Sequence, residues 1–355
     1  MTIQQDILQL LPAKRKSSPS GWISFNALCC HHNGESADTR SRGGMIPSAD
    51  GAVSYHCFNC GFKTGWRPGW HISYKFRKLL RWMGADDNTI QRLVIEAVRV
   101  KDTVAPETIP ATDIATIDFK PRPLPPDSAD FKQWATVLRL GGDWGEQGID
   151  DIEIPIPLMT AVQYLLDRGC TDNKYNWYLS EDTAYNMHKR IIVPFYWGEK
   201  LIGYTARAID GSVKPKYHNS HEPNFVFNIN NQLPNAKFVI VCEGPFDAIS
   251  VDGVAILGNR VSEQQADIID SLAREVVVVP DWDFDNKGKW TGKLLVDDAL
   301  EYGWSVSFPV WRETCKDIND AVVKYGKLFV IKSILDSVEK SRLKIELMKK
   351  RIHTS

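Results

Sequence analysis

Two cysteine-containing motifs near the N-terminus have the spacing of paired metal ligands. Cys57 and Cys60 are separated by two residues, and Cys29 and His32 have the same separation upstream. Side chains at this spacing can bind one tetrahedral ion, and Gly61 permits a tight turn after the second pair. Three thiolates and one imidazole would leave no open position on the ion. The sequence therefore predicts a structural zinc site, Cys29–His32–Cys57–Cys60, and not a catalytic one.

The ligands of the first motif stay open, because Cys30 and His31 lie between Cys29 and His32. We prefer Cys29 with His32, since only that pair reproduces the spacing of the second motif. Basic and aromatic residues surround both motifs, which suits single-stranded DNA, with phosphates met by charge and bases by stacking. The same aromatics could instead pack a small zinc-binding domain. The residues are Arg40, Arg42, Lys63, Arg67, Tyr55, Phe58, Phe62 and Trp66.

Acidic residues follow two apolar strands in the second half of the chain. Glu243 directly follows the apolar strand Lys237–Cys242, and Asp281 and Asp283 follow a strand with four consecutive valines. Ligands of open α/β sheets lie at the carboxyl ends of the strands. Ionised carboxylates there repel one another unless divalent cations bridge them, and oxygen ligands favour Mg²⁺ or Mn²⁺. The pattern predicts a catalytic magnesium or manganese site for phosphoryl chemistry.

Two further acids have alternative roles. Asp285 lies in the same turn as Asp283, so the pair at the site could be Asp283 and Asp285, or Asp285 could belong to a solvated turn. Asp317 follows the last strand and could extend the acid cluster, although an N-cap of the next helix is an equal alternative.

These residues need a frame of alternating strands and helices to bring them together. From residue 236 the chain predicts strands at 237–242, 254–257, 275–280 and 304–310, with helices from about 247, at 262–273 and at 292–302. Such alternation predicts a parallel α/β sheet. Upstream, Arg190–Phe195 and Leu201–Arg207 predict a hairpin, and 131–138 and 160–168 predict helices. Helical segments are also expected at 74–83, 88–98 and 329–352.

The composition restricts the class of protein. Net charge is −1 and 43% of residues are hydrophobic, which is ordinary for a globular chain. Nucleic acid would therefore have to meet local basic patches. We expect no membrane association, because no apolar run approaches the ~20 residues that span a bilayer. Clustered cysteines without a signal peptide predict the cytoplasm of a bacterium or of a phage-infected host.

Taken together, the motifs resemble a known family. Glu243-Gly244-x-x-Asp247-Ala248 after one strand and Asp281-x-Asp283 after another are similar to the Toprim fold of bacterial and phage primases and of topoisomerases. The cysteine and histidine motifs resemble the zinc-binding domain of bacterial, DnaG-like primases. Basic strand segments at 189–195, 202–207 and 215–220 resemble the primase catalytic core. The motifs stand in the family's order over most of residues 25–325.

The resemblance implies a fold and a set of residue roles. It implies an α/β protein with an N-terminal zinc ribbon and a primase core that contains a Toprim, Rossmann-like parallel sheet. It implies zinc on the two N-terminal motifs, catalytic magnesium on the three acids, and contacts of Arg207 and Lys216 with nucleoside triphosphate or with template. Two departures are Asn33 after His32 and the continuation Phe284–Gly288 after the acids, where the family has a short basic segment.

The expected domain order follows from the motifs and from a proline-rich segment. We expect a zinc-binding domain at 1–101, a linker at 102–127, the basic part of an RNA polymerase core at 128–235 and a Toprim domain at 236–325. Residues 326–355 would be a C-terminal helix that packs on the core or contacts a helicase. Prolines at 106, 110, 121, 123, 125 and 126 motivate the linker.

The function that these features predict is DNA-templated synthesis of short RNA primers from ribonucleoside triphosphates. No phosphate loop of the helicase type is present, so a replicative helicase would act in trans. The alternatives are a Toprim nuclease or topoisomerase-like enzyme, and a non-catalytic single-stranded-DNA-binding protein that loads a helicase. Intact acids at Glu243 and at the Asp-x-Asp motif argue against the last alternative.

Overall fold

The computed structural model describes residues 2–70, 72–103, 117–132, 156–170 and 174–352. The chain divides into two compact units: Met1–Ala115 with Ala266–Arg274, and Thr116–Gln265 with Glu275–Ser355. Three five-stranded sheets are present among the described residues. None of the described helices has the length and apolarity to span a bilayer.

The first unit is built on an antiparallel sheet in which each strand pairs with the next along the chain. Phe25, Met45 and Tyr55 from its strands are buried in one core, to which the helices of this unit also contribute side chains. The first helix begins with a capping box between Thr2 and Gln5, which satisfies backbone donors at its start. The elements are α1 (Ile3–Gln9), β1 (Arg15–Ser17), β2 (Ile23–Phe25), β3 (Gly43–Pro47), β4 (Val53–Cys57), β5 (Lys63–Trp66), α2 (Tyr74–Trp82) and α3 (Asp87–Thr103).

The second unit begins with another antiparallel sheet, ordered β10-β9-β8-β7-β6. The predicted hairpin is confirmed, since β8 pairs with β9 around a turn that contains Gly198 at a positive φ of 59°. Both strands are buried over most of their length, so their apolar residues form the centre of the sheet. The elements are β6 (Ser128–Asp130), α4 (Ile156–Asp167), β7 (Tyr178–Ser180), β8 (Arg190–Trp197), β9 (Lys200–Ala208) and β10 (Tyr217–His221).

Two apolar side chains of the predicted linker are packed in the second unit. The Phe119 ring is buried against Trp197 and Phe225, and Leu124 packs on the β8–β9 core. The surrounding prolines do not prevent this packing, because burial of an aromatic side chain against an apolar surface is favourable. Residues 104–116 of that segment, and most of the helix predicted at 131–138, lie outside the described residues. The predicted domain boundaries therefore stay predictions.

The predicted parallel sheet is confirmed, with strand order β12-β11-β13-β14-β15 and parallel pairing up to β14. Ser262 caps the following helix, because its hydroxyl accepts from the backbone N–H of Gln265 at 3.2 Å. The elements are β11 (Phe238–Cys242), α5 (Pro245–Val251), β12 (Val254–Ala255), α6 (Glu263–Asp270), β13 (Glu275–Val278), α7 (Lys293–Tyr302), β14 (Ser305–Ser307), α8 (Ile318–Tyr325), α9 (Lys327–Asp336), β15 (Val338–Glu339) and α10 (Arg342–Ile352).

The prediction of a single C-terminal helix at 329–352 is wrong in one respect. The segment forms two helices, α9 and α10, separated by β15, which pairs antiparallel with β14. The open edge of β14 offers backbone partners to this segment, and the Glu339 carboxylate accepts from the N–H groups of Lys340 and Ser341 before α10 begins. Helix α10 packs on α7, where the Lys349 ammonium lies 2.6 Å from the Asp297 carboxylate.

Candidate functional site

The first unit brings four thiols into one group. Cys29, Cys30, Cys57 and Cys60 have sulfur atoms that all lie within 4.8 Å of one another. The Cys29 and Cys60 sulfurs are 3.4 Å apart, and those of Cys30 and Cys57 are 3.5 Å apart. Strand β4 ends at Cys57, and Gly61 takes a positive φ of 73° after Cys60. Four soft sulfur donors in a closed group fit a structural zinc ion.

The structure places Cys30, and not the predicted His32, in this group. The His32 ring stacks on Trp82 of α2 at a centroid distance of 4.6 Å, with the two planes 6° apart. Its backbone N–H donates to the Cys29 carbonyl within a tight turn that begins at Cys30. That turn sends adjacent cysteines to the ion site and turns the imidazole outward onto an aromatic neighbour. His31 also lies outside the group and contacts the His32 ring.

Polar neighbours hold the cysteine group in place. The Asn59 amide donates to the Cys30 sulfur at 3.3 Å, and the Tyr55 hydroxyl lies 3.3 Å from the Cys29 sulfur. Burial raises the pKa of the Cys30 thiol to about 11, and hydrogen bonding from Asn59 opposes that rise. Burial also raises the pKa of the Cys29 thiol, so without an ion the Cys29 and Cys30 thiols are protonated at neutral pH. A bound cation would offset the cost of buried thiolates.

Only part of the predicted nucleic-acid surface of this unit is exposed. Tyr55, Phe62 and Trp66 belong to the buried core, whereas Phe58 is 65% exposed. The Arg42 guanidinium bonds Asp38 at 2.9 Å and also contacts Asn59. Most of the predicted aromatics therefore pack the unit, and Phe58 is the member of that set available for stacking.

In the second unit, Glu243 and Asp281 lie at the carboxyl ends of β11 and β13, which are neighbours in the sheet. Burial raises the pKa of Glu243 to about 7, with a further contribution from Asp283, while the Asp281 backbone N–H lowers it. Burial also raises the pKa of Asp281, and the negative charges of Asp247 and Glu243 raise it further. The buried Glu243 Oε1 atom has no hydrogen-bond partner among the residues that the structure describes. An unpartnered carboxylate oxygen among other acids suits a hard divalent cation.

Asp247 is an acid of this site that the sequence analysis did not assign. It lies in the first turn of α5, is buried, and accepts from the Asn319 backbone N–H at 2.9 Å. Burial raises its pKa to about 7, with a further contribution from Asp317. The signal was available, because Glu243 and Asp247 lie four residues apart across a helix start at Gly244-Pro245.

The turn after β13 separates the roles of Asp283 and Asp285. The Asp285 carboxylate accepts from the N–H groups of Lys287 and Lys289 at 2.8 and 2.9 Å, and these bonds lower its pKa. It is fully exposed and is used within its own turn. The negative charge of Asp283, in contrast, raises the pKa of Glu243 and that of Lys216. The hydrogen bonds of Asp285 within its own turn and the charge effects of Asp283 thus favour Asp281 with Asp283 as the acids at the strand end.

Asp317 takes one of its two alternative roles, the N-cap, and lies near the acid cluster. Its carboxylate caps α8 by accepting from the Asp320 N–H at 2.8 Å. It is also largely buried and raises the pKa of the neighbouring Asp247. Among the described residues, the four cysteines bring their ligand atoms together as a group that could hold a metal ion, and these acids do not form such a group. The acid cluster is thus more open than the cysteine group.

Cationic side chains face the acids. Arg207 is buried on β9, donates to the Tyr164 hydroxyl at 2.9 Å, and lies over the Tyr217 ring at 4.6 Å. Burial lowers the pKa of Lys216, as do the charges of Arg207, Lys316 and Arg168, while Asp283 raises it. The two predicted cations are therefore in one group, which includes two that the sequence analysis did not assign.

Arg168, at the end of α4, is the more firmly held of the added cations. It donates to the same Tyr164 hydroxyl at 2.8 Å and to the Asn319 side-chain oxygen at 2.7 Å. Tyr164 thereby fixes two guanidinium groups, and Asn319 links Arg168 to the acid Asp247. Nothing local in the sequence marks Arg168, since its partner Asn319 is 151 residues away. Rigid guanidinium groups beside acids suit a metal-bound polyphosphate.

No family model matches the chain, and no curated protein matches it. Several solved structures are similar to it. The primase of Aquifex aeolicus, with zinc-binding and RNA polymerase domains, is 16% identical over 99% of this chain and 88% of that chain, with a TM-score of 0.44. The Escherichia coli primase catalytic core is 18% identical over 57% and 64% of the two chains, with a TM-score of 0.35. A DnaG catalytic core is 19% identical over 50% of this chain, at a TM-score of 0.36, and the match spans 59% of that core's own length.

Proposed function

We propose that this chain is a DNA primase that joins ribonucleoside triphosphates on a single-stranded DNA template and releases pyrophosphate. The observation that carries the proposal is the partly buried acid cluster at the ends of β11 and β13, which lies near a group of cations that includes the firmly held Arg168 and Arg207. The sequence motifs quoted above support the same function. The substrates, the template and a replicative helicase acting in trans are part of the proposal.

The acids are assigned to Mg²⁺ or Mn²⁺. Glu243, Asp281 and Asp283 would hold the ions, and Asp247 and Asp317 would add negative charge behind them. Such ions lower the pKa of the attacking 3′-hydroxyl and stabilise charge that develops on the reacting phosphate. The raised pKa values support this assignment, because charge that the protein leaves uncompensated is charge that a cation can neutralise.

The cations are assigned to the triphosphate. The Arg168 and Arg207 guanidinium groups are held by one tyrosine hydroxyl, so their orientation is set before any substrate arrives. Preorganised donors stabilise charge on the leaving pyrophosphate without reorganisation during the reaction. Lys216 is close enough to Arg207, Arg168 and Asp283 for their charges to shift its pKa, and it is assigned to the same phosphates.

The four-cysteine group is assigned to structural zinc in a template-binding unit. The exposed Phe58 and the basic residues around it provide stacking and charge. The domain boundaries at 101, 127, 235 and 325 and a helicase contact of the C-terminal helices remain parts of the proposal.

The test is a priming assay on single-stranded templates of varied sequence, with labelled ribonucleotides and Mg²⁺, with and without a replicative helicase. We expect short RNA products, and we expect Glu243→Gln to reduce their yield by about 100-fold or more because a metal ligand is lost. The control is Asp285→Asn, which keeps an oxygen acceptor for its turn and should retain wild-type yield.

Three outcomes would contradict the proposal. No RNA on any template with helicase present would exclude primase activity. DNA cleavage that Asp281→Ala abolishes, without RNA synthesis, would favour a nuclease or topoisomerase-like enzyme. Unchanged function after Glu243→Ala would favour a non-catalytic helicase-loading protein.

A further inference from the structure

A cleft of about 580 Å³ lies beside the acid turn in the second unit. Trp282 and Phe284 line it, and they alternate along the chain with Asp281 and Asp283. Arg312 comes from the segment after β14, and Met348 and Arg351 come from α10. The volume is within the range of about 300–1,000 Å³ typical of ligand sites.

The aromatic residues of the cleft are displayed and supported. Trp282 contacts the Phe284 ring edge-on at 5.7 Å and the buried Trp290 at 5.6 Å. Phe284 is 46% exposed although it is large and apolar. The buried Trp290 therefore supports the Trp282 ring, and the neighbouring Phe284 ring is open to solvent.

Two arginines line the cleft beside this aromatic surface. The Arg312 guanidinium lies over the Trp282 ring at 5.3 Å, and its buried Nε atom has no hydrogen-bond partner within the described residues. Arg351 adds a second cation, and Glu313 is the acid that lines the cleft. Aromatic rings with adjacent guanidinium groups form the chemistry that binds unpaired nucleotides, with bases stacked and phosphates paired to charge.

We infer that this cleft, defined by Trp282, Phe284, Arg312, Met348 and Arg351, binds an unpaired segment of single-stranded DNA next to the acid site. A template is the component of the reaction that continues beyond the reacting nucleotides, so it can reach a cleft beside them. This inference rests on the proposed function. It adds to it a binding subsite in the second unit, separate from the surface around Phe58.

The first experiment measures binding of labelled oligodeoxythymidylate to the full chain by fluorescence anisotropy, without nucleotides. We expect Phe284→Ala to weaken binding roughly fivefold or more, as for the loss of one stacked base. The matched control is Phe329→Ala on α9, a ring that is 48% exposed. That variant should bind like wild type.

The second experiment tests charge. Arg312→Gln should reduce the slope of log affinity against log salt concentration by about 0.7, as for one lost phosphate contact on a single strand. Arg342→Gln, which changes an exposed arginine at the start of α10, is the control and should leave the slope unchanged. Thermal unfolding of each variant shows that the fold is intact.

Photocrosslinking locates the strand directly. Oligonucleotides that contain 5-iododeoxyuridine should crosslink to the peptide that carries Trp282 and Phe284. If the wild type binds DNA, Phe284→Ala binds it equally tightly and this crosslink is absent, the inference is overturned. The proposed function would then still stand. Failure of the wild type to bind DNA would instead contradict the proposed function. If Phe284→Ala weakened the binding of oligouridylate but not that of oligodeoxythymidylate, the cleft would be assigned to RNA and the template assignment would be overturned.

Discussion

At the scale of single residues, the two candidate metal sites differ in chemistry and in packing. The N-terminal site has four sulfur donors in contact, whereas the second site has carboxylates spread around two strand ends. Soft donors in a closed group suit a structural ion, and hard donors in a more open cluster suit ions that exchange with substrate. This contrast supports the proposal that the acids and their neighbouring cations carry the chemistry and that the thiols have a structural role.

Zinc content should distinguish the two possible ligand sets. We expect Cys30→Ser to lower bound zinc and to destabilise the first unit, because a thiolate ligand is lost. His32→Ala should keep one zinc per chain, since that ring packs on Trp82 instead. Metal analysis of the purified variants checks both results. Normal zinc in Cys30→Ser with loss in His32→Ala would restore the ligand set predicted from spacing.

The buried Asp38 carboxylate should make stability depend on pH in a defined direction. Burial raises its pKa, but hydrogen bonds from the N–H groups of Ala27 and Arg40 and from Arg42 outweigh burial and hold the pKa well below 3.8. The folded pKa is depressed, so the stabilisation is present above the unfolded value and is lost as pH falls through the folded one.

We therefore expect Asp38→Asn to lower the free energy of unfolding by about 2 kcal/mol between pH 5 and 8. The difference between variant and wild type should shrink below about pH 4, where the unfolded carboxyl becomes protonated. Urea unfolding at several pH values measures it, and the comparison removes effects common to both proteins. A difference that grows on acidification would contradict the assignment.

At the scale of elements, the close packing of β9 against β10 positions the cations Arg207 and Lys216. Strand β10 follows Lys216 and pairs with β9, which carries Arg207 opposite Tyr217. Gly203 on β9 has a φ of 149°, and a Cβ atom there would lie 2.1 Å from the Ser220 carbonyl oxygen. The backbones of β9 and β10 approach so closely at this point that a side chain does not fit.

We expect Gly203→Ala to destabilise the protein by about 1–3 kcal/mol, since both the φ angle and the contact are unfavourable. Gly211→Ala is the control, because no atom lies within 4 Å of its added Cβ. Urea unfolding compares the two variants. Equal stability of both would show that β10 can move away from β9 without cost.

At the scale of the whole molecule, the chain has two compact units with separate cores, and each carries one of the candidate sites. The core of Phe25, Met45 and Tyr55 surrounds the cysteine group, and the acid site rests on the parallel sheet. Division of this kind lets one unit depend on a metal while the other keeps its fold.

Removal of zinc should act on one unit. With a strong chelator we expect faster amide hydrogen exchange in β2–β5 and little change in β8 and β9, because only the first sheet is joined through the cysteine group. Mass spectrometry of exchanged peptides measures both regions in the same sample, so β8 and β9 are the internal control. Equal acceleration in both regions would contradict separate metal dependence.

The sequence by itself determined the features that depend on local spacing. The C-x-x-C motif, the β8–β9 hairpin, the parallel strands and the strand-end position of Glu243 and Asp281 follow from periodicity and from neighbours along the chain. Only the tertiary structure decided that Cys30 replaces His32, that Phe119 packs on the second sheet, and that Arg168 and Asp247 join the site. Those outcomes depend on partners such as Trp82 for His32 and Asn319 for Arg168. Their side chains meet through packing between distant segments, which spacing along the chain does not encode.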